Sequence, residues 1–355
     1  MKRIGFLWDQ ICSMENIQEA ITKSSKHKRK RKAVKRVLYD RDFYANEIHL
    51  MLVNKDIKWG EDHYKKIVEP SSKKIRDITI PTYYPDQIIH WCIILVIEKY
   101  IRKGMCDCCI GSVPKRGPVH GKKKVEKWLK NDKRIKYIDK ADIHHFFNNI
   151  DVNVMKLLLR RDFKDPHLLE VLDYILDKGS RFTGKGLPIG YYTSQWLSNY
   201  YLEHVDHVIL DQLRPLHYIR YVDDIVIFES NKRKLRKIHN RLSELLLDLK
   251  LNIKGNWQIF RKHSRALDFL GFRFFKKYTT LRKRLLQHIL KVAARFSRQR
   301  KKAIRTARSL ASLYGWFKHI DNGFLFYDKC LKAKAPIGLI SFIISKYDKM
   351  KLAKN

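Results

Sequence analysis

His217-Tyr218-Ile219-Arg220-Tyr221-Val222-Asp223-Asp224-Ile225-Val226-Ile227-Phe228 sets two adjacent carboxylates between two apolar runs. His217 to Tyr221 and Ile225 to Phe228 read as strands. The spacing predicts a β-hairpin whose tight turn holds the acids side by side. Adjacent aspartates repel each other, and folding gains nothing from them unless a cation sits between them. The usual cation is Mg²⁺, and the usual work is phosphoryl or nucleotidyl transfer. Four residues are weak grounds on their own, because Asp favours turns in any protein. The rest of the sequence has to decide.

The charge balance narrows the partners. With 75 Lys+Arg against 36 Asp+Glu, the 355 residues carry a formal net charge of +39. Such an excess repels itself unless a polyanion neutralises it, and nucleic acid is the expected polyanion. Hydrophobic residues make up 45% and aromatics 12%, which fits a globular chain of two or three modules and not a basic tail. An anionic membrane surface is the competing explanation. It is disfavoured because the basic residues run through every module instead of one amphipathic anchor. No apolar run approaches the ~20 residues needed to span a bilayer. Met1-Lys2-Arg3 is followed by only a few apolar residues before Asp9, so a cytoplasmic location is expected rather than secretion. Six cysteines give no disulfide framework. Cys106, Cys108 and Cys109 cluster with His120 downstream, but the spacing lacks a second pair for zinc and reads as buried or free thiols.

Along the chain, Ser24 to Arg36 is a basic run without acids, read as a solvated helix or arm that meets phosphates. Val37 to Val53 has helical spacing. Lys73 to Pro81 alternates basic and apolar residues, which predicts a strand with one charged face. Tyr84 to Ile101 is predicted helical, and Gly111 to Lys124 a Gly/Pro-rich basic loop suited to phosphates. Lys136 to Asp142 reads as a strand, followed by Phe146-Phe147. Val154 to Asp177 is helical, Gly184 to Gly190 is a glycine-rich turn, and Ser194 to Leu213 is a helix. Leu235 to Leu251 forms another. This order of strands and helices predicts an α+β core with a mostly antiparallel sheet.

From about Leu281 the pattern changes. Leu285, Ile289, Val292 and Phe296 recur at helical spacing, as do Ala303, Ala307, Leu310, Tyr314 and Phe317. Arg295, Arg298, Arg300, Lys301 and Arg305 lie among them with almost no acids. These are amphipathic helices with a basic face, fit to grip a nucleic-acid backbone. A solvated face normally mixes both signs.

Two residues in one turn cannot surround a metal pair, so a third carboxylate is needed from a neighbouring strand. Asp142 ends its predicted strand, and the backbone carbonyl of Ile143 is a candidate added ligand. Asp139 lies at an odd spacing and should face the other side of the sheet. Asp151 reads instead as the cap of the next helix.

With these in place the sequence resembles a reverse transcriptase. Asp142 with Phe147 five residues later, the glycine-rich turn entering a helix, Tyr221-Val222-Asp223-Asp224, Lys254, and Leu267-Asp268-Phe269-Leu270-Gly271-Phe272 follow the order of that family's palm motifs. Lys74-Ile75-Arg76 before Ile80-Pro81 resembles the fingers motif, and Ser312 to His319 (SLYGWFKH) the start of a bacterial thumb. The resemblance spans roughly residues 20 to 330. It implies a right-hand polymerase fold: 1–135 as a basic extension and fingers, 136–275 as palm with a helical fingers insertion at about 152–185, and 276–355 as a helical thumb.

It also implies roles. Asp142, Asp223 and Asp224, with the Ile143 carbonyl, would hold two Mg²⁺ ions, for which Mn²⁺ can substitute. Arg76, and less directly Lys74, would meet the triphosphate. Lys254 would protonate the leaving pyrophosphate, with an exposed surface lysine as its ordinary alternative. Phe147 would lie beneath the incoming sugar and exclude a 2′-hydroxyl, Phe146 being core. Gly190 would let backbone approach the nascent base pair. Most members carry Gln-Gly-x-x-x-Ser-Pro in the turn, whereas this chain has Ile189-Gly190-x-x-x-Ser194-Gln195. That form, with Leu251 to Gln258, resembles the enzymes of bacterial or phage diversity-generating retroelements. The subfamily resemblance implies error-prone cDNA copied from a template-repeat RNA for mutagenic retrohoming, with dNTPs, an RNA–DNA hybrid and a small basic accessory protein as partners. A retron- or group II intron-like enzyme is the alternative, opposed by Ser194-Gln195. A catalytically inactive RNA-binding protein on the same fold is opposed by the three carboxylates.

Overall fold

A computed structural model describes residues 3–69, 74–299 and 303–352. The hairpin expected at its centre is present: β4 (His217–Tyr221) and β5 (Asp224–Glu229) pair antiparallel, with Tyr221 opposite Asp224. On the other side of β5 lies β3 (Tyr137–Asp142), also antiparallel, and β6 (Gln258–Arg261) completes the order β4-β5-β3-β6. A separate two-stranded hairpin, β1 (His63–Val68) and β2 (Ile75–Ile80), stands largely exposed. A three-stranded antiparallel sheet follows as β7 (Leu267–Phe269), β8 (Phe272–Phe274) and β9 (Thr279–Leu281). The mixed helix and strand class with antiparallel sheets is as the sequence predicted.

Contacts divide the chain into two compact units. The first comprises Met1–Ile67, Ile75–Gly117 and Arg134–Ile259. Its helices are α1 (Trp8–Cys12), α2 (Met14–Ser25), α3 (Lys32–Tyr39), α4 (Arg41–Val53), α5 (Ile88–Gly104), α7 (Phe146–Asn149), α8 (Val152–Asp162), α9 (Pro166–Gly179), α10 (Tyr192–Tyr201), α11 (Glu203–His207) and α12 (Lys232–Asp248). α5 is apolar on nearly every face and is buried, from Ile88 to Ile101. A helix of that kind belongs at the centre of a core, and α2 and α10 pack on it. α12 covers one face of the central sheet with Leu235, Ile238, Leu242, Leu245 and Leu246 buried.

The second unit comprises Val68–Lys74, Pro118–Lys133 and Phe260–Asn355. It holds α6 (Pro118–Asn131), α13 (Lys283–Arg298), α14 (Ile304–Tyr314), α15 (Gly323–Cys330) and α16 (Ile337–Leu352). Ile289, Val292, Phe296, Ala307, Leu310, Tyr314 and Phe317 are buried, on the predicted spacing. Tyr314 meets Tyr327 edge-on at 5.4 Å, one of the aromatic contacts in its core.

Several boundaries differ from the sequence reading. The long helix expected over Val154 to Asp177 is two helices. Asp165 breaks it: one carboxylate oxygen caps α9 at the Leu168 N–H, and the other accepts from Leu7 and Trp8 at the start of α1. Pro166 then occupies the first turn of α9, where a missing N–H costs nothing. The helix expected over Ser194 to Leu213 bends at Leu202, where the Tyr200 and Tyr201 hydroxyls reach the carbonyls of Leu158 and Leu249. Val37 to Val53 divides at Asp40 into α3 and α4. Gly111 to Lys124 is only partly loop, since α6 starts at Pro118. Leu267 to Phe272, a palm motif in the sequence reading, is a hairpin that turns through Leu270 and Gly271, both at positive φ, as a type I′ turn requires. Among the described residues no helix is long and apolar enough to cross a membrane.

Candidate active site

In the antiparallel register of β3 and β5, Asp142 faces Asp224 directly. Directly opposed residues share a sheet face. Alternation along β3 puts Ile138, Lys140 and Asp142 on that face and Asp139 on the other. Asp139 is buried there against α12, its Oδ2 2.8 Å from His239 Nδ1, and burial raises its carboxyl pKa. The sequence had assigned Asp139 to the opposite face, and it lies there. Asp151 caps α8, accepting from the Val154 N–H at 3.0 Å, also as expected.

Asp223 sits in the turn. Its carbonyl accepts the Ile143 N–H at 3.1 Å. Val222 before it has φ +59°, a left-handed conformation that a β-branched residue rarely adopts. On the other side of β3, the Asp142 carbonyl accepts the Lys254 N–H at 2.8 Å, and Ile143 bridges Ile253. Main-chain bonds therefore join Asp142, Ile143, Asp223 and Lys254 in one patch, with Asp224 beside Asp142. Among the described residues no three His, Cys, Asp or Glu side chains already close around a common point. The donor set still fits Mg²⁺. That ion takes hard oxygens from one or two carboxylates and completes its shell with water and substrate phosphates, needing no full protein cage.

A second group of predicted residues adjoins through the glycine-rich turn. The Leu187 N–H donates to the Phe147 carbonyl at 2.7 Å, and the Gly186 N–H to the Ile150 carbonyl at 2.8 Å. Phe147 is half-buried at the start of α7 against buried Phe146. On the far side of the turn, the Thr79 N–H of β2 donates to the Ile189 carbonyl at 2.9 Å. Gly190 has φ +129°, and a Cβ built there would lie 2.0 Å from the Thr79 carbonyl oxygen. Only glycine admits this approach. The turn thus ties α7 to the strand that carries Arg76, which is exposed, as is Lys74 just before the strand. Ile189 is half-buried, Ser194 buried and Gln195 exposed on α10.

The comparison with known families can now be read against this geometry. The family described as reverse transcriptase (RNA-dependent DNA polymerase) matches residues 67–274, more than half of the chain. The chain belongs to the reverse transcriptase family. Solved structures of telomerase from Candida tropicalis are similar to it. The complex with a TWJ fragment of telomeric RNA has 10% identity and a TM-score of 0.48, over 84% of this chain and 64% of that one. The apo form has 12% identity and a TM-score of 0.48, over 73% and 52%. The apo form truncated from its C-terminal domain has 12% identity and a TM-score of 0.46, over 62% and 55%. This chain spans less than two thirds of each of those chains. No curated protein matches the sequence. The family assignment rests on the sequence match.

The acidic turn of this chain is propped from behind by residues that the sequence reading did not single out. Arg220 is 1% exposed and pairs in fork fashion with buried Asp206, Nε to Oδ1 at 2.8 Å and Nη2 to Oδ2 at 2.6 Å. Burial opposes its charge, yet the Asp206 carboxylate holds it more firmly protonated than an ordinary arginine. Its Nη1 donates to the Val222 carbonyl at 3.0 Å and to Asn199 Oδ1 at 3.2 Å. The Cys109 thiol donates to the same Asn199 oxygen, and Asn199 Nδ2 donates to the Gly111 carbonyl at 2.8 Å. The Arg220 and Ile110 main chains add bonds to this segment. At Gly111 a Cβ would lie 2.7 Å from the Val222 nitrogen. The cysteine cluster therefore sits in the support of the turn: Cys108 and Cys109 are buried, Cys106 partly so, and all three are free thiols.

The glycine-rich turn has its own buried anchor. The Tyr191 hydroxyl donates to Asp62, and Lys178 Nζ lies between Asp86 (2.6 Å) and the Gly60 carbonyl (2.7 Å). His90 beside them is fully enclosed. Burial, helped by Lys178, pushes its pKa down to about 3, so it stays neutral. In the second unit, Arg295 and Arg298 lie exposed on α13 and Arg305 on α14, as the helical spacing predicted. Arg300 and Lys301 fall outside the described residues.

Proposed function

We propose that this chain is an RNA-directed DNA polymerase of the diversity-generating kind, making error-prone cDNA from a template-repeat RNA for mutagenic retrohoming. The observation that carries the polymerase reading is the pairing of Asp142 with Asp224 across β3 and β5, with Asp223 in the adjoining turn, inside a reverse transcriptase match. Residues 1–135, 136–275 and 276–355 would serve as fingers, palm and thumb. Asp142 and Asp223, supported by Asp224 and the Ile143 carbonyl, would hold Mg²⁺. Bound divalent ions supply charge stabilisation at the triphosphate and a more acidic primer 3′-hydroxyl. Arg76 would clamp triphosphate oxygens with its planar fork, with Lys74 as a second cation. Lys254 would give its proton to the leaving pyrophosphate. Phe147 would exclude a ribose 2′-hydroxyl by bulk. Arg295, Arg298 and Arg305 would follow the RNA–DNA hybrid backbone, and the net charge of +39 suits assembly on RNA with an accessory protein.

Support for the diversity-generating reading lies at Ile189 and Gln195. Ile189 accepts from β2 through its carbonyl, and its side chain offers no polar group to base or template. A substrate held with fewer polar contacts is discriminated less sharply. Ile189→Gln should lower overall misincorporation several-fold, the scale of one added hydrogen bond, in primer extension on RNA scored by sequencing. An unchanged error spectrum would sink this account of infidelity.

Gly190→Ala tests the tie between turn and strand. The added methyl meets the Thr79 carbonyl and suits φ +129° poorly, so β2 must move. Displacing a substrate-positioning strand by about 1 Å costs on the order of a hundredfold in rate. Single-turnover extension should fall by that order, and a wild-type rate would exclude the tie from catalysis.

A further inference from the structure

β3 carries a cation on the face of the aspartates. Lys140 lies two residues before Asp142, so both side chains leave the strand on the same side. Lys140 is opposite Val226, and Asp224 is two places before Val226 on β5. That diagonal is within reach of a long side chain across an antiparallel pair. Lys140 Nζ stands 3.9 Å from Asp224 Oδ1, with the side chains 25% and 20% exposed. Solvent therefore screens the pair only in part. The buried carboxylate on the opposite face, Asp139, has its own partner in His239.

We propose that Lys140 is a positioning residue that serves as counter-ion to Asp224 and so sets how tightly the aspartate site takes a divalent cation. This rests on the metal reading given above. The ammonium draws on the Asp224 carboxylate, which is then less available to a divalent ion.

The test is Mn²⁺ binding to the full chain alone, followed by the paramagnetic resonance of free Mn²⁺, without nucleic acid, whose phosphates bind the ion themselves. Lys140→Met should tighten Mn²⁺ about fivefold, the size of one partly exposed charge pair. Lys140→Arg keeps the charge and should hold the wild-type affinity. In an Asp224→Asn background, Lys140→Met should change nothing. Thermal unfolding of each variant shows whether the fold is kept. Unaltered affinity in Lys140→Met overturns the proposal, and so does an equal gain with Asp224→Asn already present. If neither Asp142→Asn nor Asp223→Asn weakens Mn²⁺ binding, the metal reading itself fails and the proposal falls with it.

Discussion

Asp223→Asn is expected to lower single-turnover primer extension by at least about a thousandfold, the consequence of losing roughly 4 kcal/mol of transition-state stabilisation. RNA binding and the thermal midpoint should change little. The structure separates these effects. The main-chain carbonyl of Asp223 accepts from Ile143, and asparagine retains that bond. Only the charge is removed. Asp142→Asn should behave alike, because the Asp142 carbonyl, not its carboxylate, receives the Lys254 N–H. Asp139→Asn is the control on the same strand. It faces α12 and pairs with His239, so extension should stay within about threefold of wild type, while stability falls. Wild-type extension by Asp223→Asn would remove the polymerase mechanism. Equal losses in Asp139→Asn and Asp142→Asn would mean that the face of β3 does not matter.

What was legible in the sequence follows from how local the determinants are. The hairpin, the face of Asp139 and the cap at Asp151 depend on alternation and on a few neighbouring residues, and each is found as predicted. The buried faces of α13 and α14 likewise follow from spacing alone. The breaks at Asp165 and Leu202 were not legible. Asp165 spends one oxygen on a helix start more than 150 residues away, and Tyr201 bonds a carbonyl 48 residues on. No window of sequence contains those partners. Asp165-Pro166 did carry a local signal, a cap followed by proline at the first helical turn, and the apolar periodicity running through it hid the break.

The candidate site divides in the same way. Its acids stand out because adjacent carboxylates are conspicuous. The groups that hold them look ordinary in one dimension. Arg220 occupies a strand position between Ile219 and Tyr221, Asn199 and Asp206 lie in separate helical stretches, and Lys140 is one lysine among many. Gly190 was legible as a close approach, but the partner it admits is the Thr79 carbonyl of β2, which only the fold reveals. Cys106, Cys108 and Cys109 read as buried or free thiols, and they are, but that their segment bonds Arg220 and Asn199 only the fold reveals.

Arg220→Met should cost about 3–5 kcal/mol of stability, the loss expected when one member of a buried ion pair is removed and the other charge is left behind. Among the described residues, Asp206 would keep the Tyr218 hydroxyl as its side-chain partner. Urea unfolding would read this as a lower midpoint with little change in slope. Extension would fall too, but instability alone could cause that. Arg220→Met combined with Asp206→Asn separates the two causes. The double variant buries no unpaired charge, and the asparagine carbonyl still accepts from Tyr218, so most of the lost stability should return. The Val222 carbonyl still lacks its donor, in a turn whose Val222 holds φ +59°. A residue in that region persists only where its surroundings over-determine it. Without Arg220 the turn is free to relax, and Asp223 with it. Extension in the double variant should therefore stay at least about tenfold below wild type, since displacement of a reacting group by a fraction of an ångström already costs that much. Wild-type extension in a stable double variant would mean that Arg220 serves the fold and not the acids. A persistent deficit would mean that the bond from a buried arginine to one carbonyl keeps two carboxylates where the chemistry needs them.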